Sequence, residues 1–115
     1  MITYKIKEYS VTSKATEALD KEKIYDYEVS DKVRKDCISI TSDLSNIEVY
    51  IPRDYEFAQY SIDDCIREML PYAYTSIKDE GGQYKMTVKA RLTPTQYIKL
   101  LKNIIKESEF VNIIE

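Results

Sequence analysis

The chain has 115 residues, 43% hydrophobic and 32% charged, with 17 basic and 20 acidic groups giving a net charge of −3. That length suits one domain able to bury roughly two-thirds of its unfolded surface, and the composition excludes a disordered or a membrane-embedded chain. Histidine and tryptophan are absent, which removes histidine-based triads, histidine zinc sites and imidazole pH switches.

The charge is unevenly spread. Residues 1–35 carry 8 basic and 7 acidic groups (+1), residues 36–80 carry 3 and 10 (−7), and residues 81–115 carry 6 and 3 (+3). An acidic middle and a basic final third can give the surface two faces of opposite sign, unless interleaved strands and helices mix them again. No linker, repeat or low-complexity stretch divides the chain, so residues 1–115 read as a single α+β domain. The start, MITYKIKEYS, has no apolar leader region, and no apolar run approaches the ~18 residues of a membrane span. A cytoplasmic location without a membrane partner is the expectation. Cys37 and Cys65 lack further soft ligands and read as buried thiols rather than a metal pair.

In chain order, Ile2, Tyr4 and Ile6 alternate with polar residues as in a half-buried strand, and residues 14–23 form a short helix or a loop. Tyr25, Tyr27 and Val29 alternate with Asp26 and Glu28 in a polar strand. Ile38 and Ile40, then Ile47, Val49 and Ile51, mark two strands joined through turn residues 42–45 as a hairpin. A helix is expected from Ser61, with Ser61 as its N-cap, Asp63 and Asp64 in its first turn and Pro71 at its end. A strand follows over residues 72–77. Gly81-Gly82 then turns into the cleanest strand, residues 83–92, with Tyr84, Met86 and Val88 on one face and Lys85, Lys89 and Arg91 on the other. Thr93-Pro94-Thr95-Gln96 spells a helix start with a capping box. A short strand closes the chain near Val111. From about residue 37 to 115 this order predicts a ferredoxin-like βαββαβ arrangement: an antiparallel sheet with two helices on one face, extended by extra N-terminal strands.

The sequence offers little chemistry. No glycine precedes either helix, which excludes phosphate-cradling loops. A serine or cysteine nucleophile would need lysine or a carboxylate as its base, and no motif supplies one. The carboxylates Asp54, Glu56, Asp63, Asp64 and Glu68 could hold a cation, but helix capping explains the central pair. No catalytic residue, metal or cofactor is therefore assigned. The chain has 11 tyrosines against 2 phenylalanines, and exposed tyrosines bring large contact area at low entropic cost. The leading expectation is a non-catalytic protein–protein interaction, assembly or accessory protein that self-associates, of the kind viruses and mobile elements carry. Its partner-binding residues would be Tyr25, Tyr27, Tyr50, Tyr72, Tyr74, Lys85, Lys89 and Arg91. A small-molecule-binding regulatory domain is the alternative. A sheet-face RNA or DNA binder is a third reading, against which the acidic balance argues.

Overall fold

The computed structural model describes residues 26–42, 46–90 and 92–114. The elements are β1 (Tyr27–Ser30), β2 (Ile38–Ser42), β3 (Ile47–Pro52), a 3-10 turn (Arg53–Tyr55), α1 (Ala58–Met69), β4 (Tyr74–Asp79), β5 (Gln83–Lys89), α2 (Pro94–Ser108) and β6 (Val111–Ile114). They build an α+β fold with one six-stranded sheet in the order β1-β6-β2-β3-β5-β4. The N-terminal strand expected at residues 2–7, the segment 14–23 and the loop residues 43–45 lie outside the described residues.

Strand parity decides which side of the sheet is buried. Tyr27, Ile38, Ile40, Ile47, Val49, Ile51, Met86, Val88, Val111 and Ile113 face one way and form a single core with both helices. Helix α1 contributes Ala58, Ile62, Cys65 and Ile66, and α2 contributes Tyr97, Ile98, Leu100, Leu101 and Ile104. The helices pack side by side on that face. At α2 the sequence motif forms as read. Thr93 accepts the Gln96 amide at 3.2 Å and the Gln96 side chain accepts the Thr93 amide at 2.9 Å, with Pro94 in the first turn.

Helix α1 departs from expectation. It begins at Ala58, after Phe57, with no side-chain cap and no acid in its first turn. Ala58 sits four residues before Ile62 and extends the apolar stripe back, so burial rather than capping sets the start. Ser61 therefore lies inside the helix, where its Oγ accepts a hydrogen bond from Asn103 Nδ2 at 3.2 Å. Asp63 pairs with Arg67 one turn on, at 2.8 Å.

The sheet also departs from the antiparallel one expected. The order β3-α1-β4-β5-α2-β6 runs along the chain, but β2 lies between β3 and β6, and β6 pairs in parallel with both β1 and β2. Parallel neighbours require a crossover. Residues 31–37 make it across the sheet face away from the helices, over β6. This explains two buried polar side chains on an otherwise open face, Asn112 and Ser39, both 0% exposed. Asn112 Nδ2 donates to the Lys32 carbonyl at 2.8 Å and to Ser39 Oγ at 3.0 Å, while its Oδ1 accepts from Ser30 at 2.8 Å. The Arg34 amide donates to Ser39 Oγ at 2.9 Å. The Arg34 side chain spans Glu28 and Asp36 and lies 5.2 Å from the Phe110 ring centroid. The crossover loop is thus tied down by side chains of the strands beneath it.

Replacing Asn112 by alanine leaves the Lys32 carbonyl and Ser30 hydroxyl without this buried partner. We expect a loss of about 1–3 kcal/mol in unfolding free energy, read as a lower urea midpoint at unchanged slope.

Candidate interaction surface

Among the described residues, the far end of the sheet is the strand β4, with no strand beyond it. Pro71 stops α1, and the Leu70 carbonyl accepts the Ala73 amide at 3.0 Å, closing a turn with Pro71 and Tyr72 at its centre. Tyr72 rides that turn fully exposed, at 101%. Strand β4 follows as the sheet edge, with only Thr75 half-buried. The hairpin to β5 closes where the Glu80 amide donates to the Gln83 carbonyl at 2.9 Å, and Gly81 takes the positive φ of 91° that the turn requires. In an antiparallel ladder, hydrogen-bonded and non-bonded pairs alternate. Counting back from the Glu80–Gln83 pair through the register, Lys78, Ser76 and Tyr74 bond to β5. The backbone groups of Thr75, Ile77 and Asp79 consequently point outward from the sheet.

Side-chain hydrogen bonds brace both ends of this strand. Arg53, from the 3-10 turn, donates to both Asp79 carboxylate oxygens at 2.8 and 2.9 Å and to the Gly81 carbonyl, with its guanidinium 5.3 Å from the Tyr84 ring centroid. Asp79 also accepts the Gly81 amide at 2.9 Å. First that amide, then Arg53, holds the Asp79 carboxyl below its ordinary 3.8. At the other end of the strand, Thr75 bonds Asp63 at 3.3 Å and accepts from Arg67 at 3.4 Å.

The side chains expected to bind a partner separate into groups. Tyr50, Tyr74, Lys85 and Lys89 share the face away from the helices, with Tyr74 opposite Lys89 and Tyr50 opposite Lys85. Tyr72 stands beside them at the start of β4. Tyr50 and Lys85 already serve each other. The Tyr50 hydroxyl donates to Glu48 at 2.6 Å, Lys85 pairs with Glu48 at 3.3 Å, and the Lys85 ammonium is 5.7 Å from the Tyr50 ring centroid. Burial and then Glu48 push the Tyr50 phenol up, and Glu48 raises Lys85. Tyr27 is not on any surface. It pairs with Val111 in register and faces the helices at 1% exposure, because β1 joins the main sheet. Tyr25 and Arg91 lie outside the described residues. Sequence reasoning missed Ile77, which shares parity with Met86 yet is 45% exposed because it sits on the edge strand. Nothing in the local pattern distinguishes it from a core position.

Concavities among the described residues lie elsewhere. A hollow of about 370 Å³ lies between the crossover loop and the β4–β5 turn, lined by Val33, Lys35, Pro52, Glu80, Gly82 and Gln83. An open groove of about 760 Å³ runs between the helices, with exposed Phe57 and Tyr60 at its end. It is bridged by Lys99 and Glu68 at 3.4 Å. Among the described residues no three Asp, Glu or Cys side chains gather as metal ligands, and no helix is long and apolar enough to cross a membrane. Cys37 and Cys65 are free, buried thiols, each pushed up by burial. Against family models, curated proteins and solved structures, the chain has no significant match.

Because the Asp79 carboxyl is depressed in the fold, its stabilising effect is complete above 3.8 and is lost as pH falls through the lowered value. The difference in melting temperature between the natural chain and Asp79→Asn should be constant from about pH 7 to pH 5 and shrink below about pH 4.

Proposed function

We propose that this chain is a non-catalytic protein–protein interaction or assembly component, and that its docking element is the edge strand β4 with the tyrosines beside it. The observation that supports the reading is the state of that edge. Sheet edges are ordinarily shortened, charged, bulged, proline-blocked or covered, because their unpaired amides and carbonyls recruit other strands. Strand β4 is six residues long, carries no proline, confines its charges to Lys78 and Asp79 at its end, and has no neighbour beyond it among the described residues. Tyr72, Tyr74 and Ile77 expose apolar surface along it. Backbone pairing at such an edge supplies affinity, and side chains of alternate residues supply specificity. We read the overall plan as ferredoxin-like, with β2 inserted between the first and last strands of that pattern.

The clamp from Arg53 supports the same reading, since an edge fixed before docking loses less entropy when a partner strand arrives. The Glu48–Tyr50–Lys85 group, satisfied within itself, leaves Tyr72, Tyr74 and Lys89 as the polar and aromatic groups offered outward. A second reading, a small-molecule regulatory role, is favoured by the hollow lined by Val33 and Gln83, whose volume falls within the usual ligand-site range.

Selection of displayed random peptides against the purified chain separates these readings. Docking at β4 should enrich segments with β-branched and aromatic residues at alternate positions, and their binding should be lost in Ile77→Pro. That proline removes an outward amide and leaves the ladder to β5 intact, as edge positions tolerate. Selected peptides that bind Ile77→Pro as tightly as the natural chain would refute β4 as the docking element. A metabolite that raises stability by about 2.7 kcal/mol at a hundredfold excess over its Kd would favour the ligand-binding role.

A further inference from the structure

We infer that the strand docking on β4 belongs to a second copy of this chain, in an antiparallel arrangement whose twofold axis passes through Ser76. The inference rests on the reading of β4 as the docking edge and adds the identity of the occupant. A twofold axis normal to a sheet keeps each residue on its own face, so residues that meet across it must have the same parity. Pairing must also use the outward backbone groups, those of Thr75, Ile77 and Asp79. An axis at Ser76 satisfies both conditions. Thr75 then exchanges hydrogen bonds with Ile77 of the second copy, and Ile77 with its Thr75.

The side chains are self-complementary in this register. Tyr74 faces Lys78 of the second copy, twice, placing a cation on an aromatic ring across the junction. On the helix side, β-branched Thr75 and Ile77 meet each other, a favourable cross-strand pair. Ser76 meets itself in a non-hydrogen-bonded pair, the kind in which opposing Cα atoms come closest, at ~4.5 Å. It is the smallest side chain in Tyr-Thr-Ser-Ile-Lys-Asp, so that approach meets no obstruction. No two like charges oppose each other anywhere in the register. An axis at Ile77 also aligns the backbone, but it sets Lys78 opposite Ser76 and leaves the lysine without an aromatic or acidic partner. The resulting assembly is one continuous sheet across two copies. Because it is held by one strand from each copy, the pairing is a concentration-dependent equilibrium.

Light scattering or sedimentation over a concentration series tests this directly. The natural chain should rise from the mass of one copy to that of two between about 1 µM and 1 mM. Ser76→Lys places two ammonium groups on the axis and should weaken pairing by about tenfold or more, as should Ser76→Glu. Mixing the two variants should restore the mass of two copies, because only an axis at residue 76 brings lysine and glutamate face to face. Circular dichroism and a cooperative melt confirm that each variant is folded, as expected for an exposed edge position. A single-copy mass for the natural chain at 1 mM overturns the inference. If selected peptides still dock at β4 in that case, the interaction reading stands and only the second copy falls. Unchanged pairing in Ser76→Lys, or no restoration on mixing, overturns the axis and with it this assembly.

Discussion

The C-terminal strand β6 runs between β1 and β2, and it is parallel to both. This placement constrains everything at that end of the sheet. Residues 31–37 must pass over β6, and the helices already occupy one face, so the loop lies on the other. A loop laid over a sheet needs partners for its polar backbone. Asn112, in the middle of β6, supplies them from below, with Ser39 and Ser30 as its neighbours. A buried amide of this kind is favourable only when its hydrogen bonds are all made, and here both ends of the Asn112 side chain are occupied.

The two ends of the sheet therefore differ in kind. At β1, β6 and β2 the face away from the helices is covered by the loop and by Arg34, which spans Glu28 and Asp36. In the middle, Glu48, Tyr50 and Lys85 satisfy one another and present little unmet polarity. At β4 no described segment continues the ladder. The exposed tyrosines and the outward amides coincide there for one reason: the chain leaves α1 through the Pro71–Tyr72 turn directly into an edge strand. Arg53 braces the same hairpin from the turn after β3. Among the described residues, this end of the sheet therefore combines a braced hairpin, exposed aromatic side chains and an edge strand with one neighbour.

Features governed by neighbours within a few residues were legible in advance. The capping box at Thr93 and Gln96, the Gly81 turn, the β2–β3 hairpin and the period-2 faces of β3 and β5 depend on spacing alone. The start of α1 was not legible, because Ser61, Asp63 and Asp64 imitate a helix start. The burial of Ala58 under the sheet outweighs that local signal by extending the stripe one turn earlier. Tyr27 illustrates the same limit. Flanked by Asp26 and Glu28, it reads as a surface residue, yet register with Val111 turns it into the core.

The amino-acid sequence alone determined the succession of strands and helices, the buried faces of β3, β5 and α2 and the lack of familiar catalytic motifs, since hydrophobic period and turn chemistry are properties of adjacent residues. The tertiary structure alone decided that β2 and β6 are neighbours, that Asn112 is buried while Ile77 is exposed, and that β4 lies at the edge. Those outcomes depend on pairing between segments up to 84 residues apart, the separation of Tyr27 and Val111. Such pairings are selected by the combined burial and hydrogen bonding of the whole sheet, which no local stretch of chain encodes.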